Sequence, residues 1–247
     1  MENKFSVIAH RNHQICNPFS MEKLMRVLTQ IPWRKGNRVL DIGAGKCEVL
    51  IELINRFEVE GTAIELEKAF VEDAWQNAEG RIPFEHLSVI NEDAKKVLPR
   101  YDQSFDVVMC LGASHAIGDY RTTLAAMSKA VKPGGYLLVG EGYWKRKPDE
   151  AYLEALGAKE EELLTHAENI KEGEAQGLIP MWATVTNEDE WDNYEWLYSS
   201  SMETYCLENP DDPDVAWMRE RIRKWRTTYL RWGRDTLGFG LYLFYRK

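Results

Sequence analysis

Cysteine is scarce in this chain of 247 residues. Cys16, Cys47, Cys110 and Cys206 are scattered, with no Cys-x-x-Cys pair and no paired histidines nearby, so a disulfide framework and a metal site are both unexpected. No run approaches the roughly 20 apolar residues that cross a bilayer. The opening Met-Glu-Asn-Lys-Phe-Ser lacks the apolar stretch of a secretory signal. Positive charge is in deficit too: the net charge of -9 gives no global footprint for nucleic acid or an anionic membrane. Internal repeats and low-complexity tracts are also missing. These absences point to a cytoplasmic protein with no membrane or nucleic-acid partner; a monomer or homodimer is expected, though the sequence does not fix the oligomeric state. Its length suits one α/β domain with an attached subdomain.

What is present is organised around residues 38–47, Arg-Val-Leu-Asp-Ile-Gly-Ala-Gly-Lys-Cys. Val39, Leu40 and Ile42 make a short apolar strand that runs into Asp41, Gly43 and Gly45. Val49, Leu50, Leu53 and Ile54 follow at helical spacing. Strand, glycine turn and amphipathic helix in succession let a backbone approach a ligand at a helix N-terminus.

The same alternation continues down the chain. Ser20 is placed to cap a helix reaching Gln30 or Ile31. Further strands are expected at 61–65, 84–90, 105–110 and 136–141, with helices at 68–78 and 121–131 between them. Such alternation implies a parallel sheet covered on both faces, with ligands at the carboxyl ends of its strands. Asp41, Glu65, Asp93, His115 and Glu141 all fall there. Residues 149–177 read as acidic and helical. Strands six and seven are expected at 181–186 and 239–245, separated by about fifty residues, far beyond a hairpin loop. Trp191, Tyr194, Tyr198 and Tyr205 share one helical face there. Val215, Met218, Ile222, Trp225, Tyr229 and Trp232 form a heptad-like stripe on a second helix. Asn209-Pro-Asp-Asp-Pro213 is the turn, with Asp212 as N-cap and Pro213 in the first helical position. A helical hairpin capping the sheet's carboxyl edge results.

Asp-x-Gly-x-Gly after strand one, an acid closing strand two and another after strand three resemble the class I S-adenosylmethionine-dependent methyltransferases. The Phe-Asp-Val-Val strand and the Lys-Pro-Gly-Gly turn before strand five match that family as well. The resemblance covers roughly residues 36–142. It implies an α/β, Rossmann-like seven-stranded sheet with strand seven antiparallel, here with a helical cap inserted between strands six and seven. Residues 1–35 would then be an N-terminal helical segment covering the cofactor site, 36–187 the core, 188–236 the cap and 237–247 the last strand. Cys47 departs from the pattern, standing where the family has its third glycine. The resemblance also implies the cofactor contacts: Gly43 and Gly45 against the methionine and ribose portions, Asp41 ordering the loop near the ammonium, and Glu65 on the ribose hydroxyls. Leu66 would lie on the adenine face, Asp93 and the Ala94 backbone at its amino group, and the Leu111 carbonyl at the ammonium. Rival nucleotide motifs fail: a dinucleotide turn needs glycine where Glu48 stands, and a phosphate loop needs Ser or Thr where Cys47 stands.

Methyl transfer from a sulfonium requires alignment and exclusion of water, and a base only when the acceptor loses a proton early. His115 is the candidate base, or a solvent-exposed loop histidine. Glu141, Tyr143 and Trp144 follow strand five and should face the same cleft, Glu141 as a catalytic group or a structural acceptor. His10 and His13 belong to an N-terminal segment that either folds over the cofactor or frays. Trp191 and Tyr194 are candidate substrate contacts, although aromatics at heptad spacing more often form a hairpin's own core. No Asn-Pro-Pro-Tyr-type motif follows strand four, where Leu111-Gly-Ala-Ser stands, which argues against a nucleic-acid base as acceptor. The expected activity is S-adenosylmethionine-dependent methylation of a small molecule. A non-catalytic cofactor-binding module is the other reading.

Overall fold

In the computed structural model, residues 2–247 are described. The chain begins with α1 (Glu2–Ala9) and α2 (Met21–Leu28), then runs β1 (Arg38–Ile42), α3 (Glu48–Phe57), β2 (Glu60–Ile64), α4 (Lys68–Ala78), β3 (Leu87–Ile90) and α5 (Ala94–Val97). It continues as β4 (Phe105–Leu111), α6 (Tyr120–Ala130), β5 (Val131–Trp144), α7 (Glu150–Leu156), α8 (His166–Ala175) and β6 (Leu178–Val185). The hairpin helices α9 (Glu188–Glu208) and α10 (Val215–Thr228) precede β7 (Leu237–Arg246). One seven-stranded sheet forms in the order β3-β2-β1-β4-β5-β7-β6. β7 alone runs against the direction of the other six strands, and the helical insertion between β6 and β7 is present.

Two apolar layers sandwich the sheet. On one face, α2 and α3 bring Leu24, Leu28, Leu50, Ile51 and Leu53 into full burial against Val39, Val107 and Leu243. Each such side chain contributes roughly 1.5–3 kcal/mol. On the other, α5, α6 and α8 cover Leu40, Ile42, Val108, Leu137 and Val139. A third cluster lies off the sheet, where Phe5 and Ala9 of α1 pack with Met202 and Cys206 of α9 and Met218 and Ile222 of α10. Among the described residues no helix is long and apolar enough to cross a membrane.

Several boundaries differ from the sequence reading for physical reasons. Strand three starts at Leu87, because Phe84–His86 make a tight helical turn after Pro83. Strand five runs on to Trp144, since β7 pairs with it throughout, from Tyr136↔Tyr245 to Trp144↔Leu237. Helix α10 starts at Val215 rather than Pro213. The Asp212 carboxylate does not cap it; it accepts from Lys4 (2.7 Å), Tyr205 (2.5 Å) and the Asp214 N–H (2.9 Å), holding the turn and α1 together. Of the heptad stripe, Val215, Met218, Ile222 and Tyr229 are buried, whereas Trp225 is 41% exposed and spends its indole N–H on Glu195 (2.7 Å). Finally, α2 does not cover the cofactor side. Ser20 caps it, and its apolar face is fixed in the sheet's own core, leaving residues 10–19 to reach across the carboxyl edge.

Candidate active site

The ends of β1, β2 and β4 open on a cleft of about 530 Å³. Gly43, Gly45, Glu65, Leu66, Asp93, Ala94, Leu111 and His115 all line it, so most of the residues singled out in the sequence meet in one place. The turn after β1 is built by close approach. Gly43 sits at φ +69°, and a Cβ there would fall 2.3 Å from the Cβ of Ala113. Cys47 takes the left-handed conformation too, at φ 58°, which costs a non-glycine residue roughly 1–2 kcal/mol. Its side chain is wholly buried in the core under α3, an offsetting gain that a glycine would lack.

Glu65 ties the turn to β2. Its carboxylate accepts from the Gly45 N–H (2.7 Å) and the Glu67 N–H (2.8 Å). Burial raises its pKa while those backbone donors oppose the rise. A carboxylate offers about four lone-pair sites, so acceptor capacity remains toward the cleft. Asp93 caps α5 by accepting from the Lys95 N–H (2.9 Å), and Leu66 stands 70% exposed at the cleft wall.

Asp41 lies beneath the cleft and lines a narrower space shared with Asn17, Gly43 and Leu111. Burial, together with the charge of Glu65, pushes its carboxyl up to about 8. Its Oδ1 finds no hydrogen-bond partner among the described residues. A buried, unpartnered acceptor beside the carbonyl end of β4 suits a cationic group.

A strap of residues 10–17 closes over this arrangement. Lys46, buried just past Gly45, donates to the carbonyls of His10 and Arg11 (both 3.0 Å). Gln14 donates to Glu48 (2.8 Å), which a bidentate Arg81 holds at 2.6 and 2.8 Å. Asn17 donates to the Leu111 carbonyl at 2.9 Å. It fits so closely that a Cβ on Gly112 would come within 2.0 Å of its Oδ1. His13 donates through Nε2 to the Tyr194 carbonyl (2.9 Å), and His10 Nε2 meets the Tyr194 hydroxyl (3.0 Å). His10 and Tyr194 therefore reach the cleft. His13 lines a neighbouring cavity of about 600 Å³ that shares Asn17 and Tyr194 with it.

The strand-five candidates are placed elsewhere. Because β5 stays extended through Trp144, Glu141 and Tyr143 alternate onto the face of Leu137 and Val139 and do not line the cleft, although Glu141 is hydrogen-bonded to Ser114 beside it. Glu141 is buried, accepts from the Gly142 N–H (3.1 Å) and is raised in pKa chiefly by burial. Tyr143 packs on His166 of α8. Trp144 donates to the Glu160 carbonyl (2.9 Å) and packs on Tyr152. Trp191 joins the core beside Tyr229. His115 does line the cleft, exposed at its rim, and its ring is held by no hydrogen bond among the described residues. Lys46, Cys16 and Phe70 line or fasten the site without having been singled out. Lys46 carried one signal, a lysine directly after the second glycine of the turn.

A family model described as a methyltransferase domain matches residues 34–200. The chain belongs to this methyltransferase family. The methyltransferase superposes on a crystal structure of an S-adenosylmethionine-dependent methyltransferase from Geobacter sulfurreducens, bound to S-adenosylhomocysteine, with a TM-score of 0.92 and 26% identity over 99% of this chain and 98% of that one. YjhP of Escherichia coli strain K12 is 27% identical, over 95% of each chain. The 27-O-demethylrifamycin SV methyltransferase of Amycolatopsis mediterranei is 32% identical over 53% of this chain and 47% of that protein. The cofactor is S-adenosylmethionine, which supplies a methyl group activated on a sulfonium. The unpartnered Asp41 oxygen and the free lone pairs of Glu65 fit a cationic ligand that carries hydroxyls.

Proposed function

We propose that this methyltransferase acts on a small-molecule acceptor enclosed between the strap and the hairpin. The observation that carries the reading is the roof over the cleft. Residues 10–17 are fastened on one side to the glycine turn through Lys46 and on the other to α9 through Tyr194. The space beneath, with the adjoining cavity, is sized for a metabolite rather than for a polymer laid in a groove. The relative named for 27-O-demethylrifamycin SV supports the same reading. A cytoplasmic setting, and no nucleic-acid partner, accord with the net charge of -9 and the free cysteines.

In this reading Glu65 accepts from the ribose hydroxyls, Leu66 covers the adenine face, and Asp93 with the Ala94 backbone meets its amino edge. Gly43 and Gly45 allow close approach of the backbone. The Leu111 carbonyl and Asp41 face the ammonium. His10, Tyr194, Asn17 and the rim residue His115 remain for the acceptor. What these groups supply is alignment and the exclusion of water. The deciding experiment is a metabolite-extract screen with a trideuteromethyl donor. A labelled small molecule is expected; label confined to protein or nucleic acid would overturn the reading.

A further inference from the structure

Resting on the proposed methyl transfer, we propose that Tyr194, with His10 behind it, takes the proton from the acceptor, and that the acceptor atom is a hydroxyl oxygen.

Two contacts fix the direction of each proton in this pair. The Ser6 carbonyl can only accept, so His10 Nδ1, at 2.9 Å, carries the hydrogen. His10 Nε2 is then a bare lone pair, and the Tyr194 hydroxyl at 3.0 Å must donate to it. With its proton committed to His10, the Tyr194 oxygen can only accept from a group in the cleft it lines. It therefore selects an acceptor that brings a hydrogen. The phenol ring is also held in place, lying near Tyr198 (6.3 Å, 24° between planes) and edge-on to His13 (4.8 Å). His115 has no such support.

The charges around the pair define its strength. Burial, with His13 and Lys46 adding in the same direction, lowers the His10 pKa to about 4. Burial raises the Tyr194 pKa, helped by Glu195, Cys16 and Tyr198. Tyr194 thus stays a phenol at rest, and His10 stays neutral and ready. So weak a base cannot take a proton from a methylated ammonium, whose pKa is near 10. It can take one from an oxygen that becomes strongly acidic as it gains a methyl group. An amine gains nothing from this pair, whereas a hydroxyl does.

The step balances. An oxygen lone pair forms the bond to the methyl carbon while the carbon–sulfur pair stays on sulfur. The hydroxyl proton passes to Tyr194, and the proton of Tyr194 passes to His10 Nε2. One positive charge moves from sulfur to imidazole, and the net charge of the site is unchanged.

The test compares wild type, Tyr194→Phe and His10→Gln in the trideuteromethyl extract screen, with S-adenosylhomocysteine binding by calorimetry as the control. We expect an O-methyl product, and cofactor affinity in both variants within about 3-fold of wild type, with turnover lower by roughly 100-fold or more. Wild-type turnover should be flat between about pH 6 and 9, where His10 is neutral, and that of His10→Gln should climb with pH as the phenol proton goes to solvent instead. An N-methyl or S-methyl product, or near-wild-type turnover in Tyr194→Phe, overturns this assignment alone. So does loss of cofactor binding in both variants, which would make the pair a structural latch. Wild type that binds S-adenosylhomocysteine yet labels nothing overturns the methyl-transfer reading, and this assignment with it.

Discussion

Asn17 and Leu111, 94 residues apart, are joined across the mouth of the cleft by one hydrogen bond of 2.9 Å from the Asn17 amide to the Leu111 carbonyl. The bond secures the C-terminal part of the strap to the end of β4. Replacing Asn17 with alanine should free that end and weaken S-adenosylhomocysteine binding roughly 10-fold, about 1.4 kcal/mol. Titration calorimetry reads this directly, and unchanged affinity would uncouple the strap from the cofactor.

Asp41 predicts a pH dependence with a definite sign. Its carboxyl, near 3.8 in an unfolded chain, rises to about 8 when buried. Between those values the folded protein holds a proton that the unfolded chain has released. Stability should therefore fall as pH rises from about 4 to about 8, by up to about 1.4 kcal/mol per unit. Asp41→Asn should flatten that slope in thermal melts across the window.

The same carboxyl should report the arrival of the cofactor. An ammonium placed beside Asp41 favours its ionised form, so binding S-adenosylhomocysteine near pH 7 should release a fraction of a proton. Calorimetry in buffers of differing ionisation enthalpy measures it. Proton uptake, or no exchange at all, would contradict the placement of Asp41 beside the ammonium.

Glu65 has two tasks that substitution can separate. Glu65→Ala removes the acceptor for the Gly45 and Glu67 N–H groups along with the proposed ribose contact. We expect a loss of S-adenosylhomocysteine affinity of roughly 10- to 100-fold. Glu65→Gln keeps one acceptor oxygen and should lose less. Equal losses would show that charge, rather than acceptor geometry, is what matters.

Lys46→Met keeps the apolar stem but leaves the His10 and Arg11 carbonyls without their donor. Amide hydrogen exchange over residues 10–17 should accelerate by roughly 10-fold or more, in line with about 1–3 kcal/mol for unmet buried carbonyls. Exchange in β1 and β4 should be unaffected. Protection unchanged along the strap would mean that the hairpin alone holds it.

The sheet and its cofactor edge were legible because they depend on local patterns. Apolar strands ending in Asp41, Glu65 and Asp93 declare both their order and their carboxyl ends. The fate of strand five was not legible, because its length is set by pairing with β7, a partner about a hundred residues away. Alternation along that extended strand puts Glu141 and Tyr143 on the face of Leu137 and Val139, outside the lining of the cleft. The strap was half legible. Its mixture of histidine and amide side chains marked it as unusual, but a polar segment with no hydrophobic period carries no record of its partners. Nothing in the neighbourhood of Lys46 says that its amine will hold two carbonyls from residues 10 and 11. The misplaced cap at Asp212 has the same origin, since Lys4, more than two hundred positions upstream, claims its carboxylate.

That pairing of Lys4 with Asp212, across 208 residues, also sets a clock. During synthesis α1 emerges long before α9 and α10, the surfaces on which Phe5 and Ala9 come to rest. At roughly 5–20 residues per second the wait is about 10 to 40 seconds. The roof over the cleft is thus assembled late, from residues made well before their partners in α9 and α10. A nascent chain that has made only β1 to β5 would still have an open, unsheltered cleft.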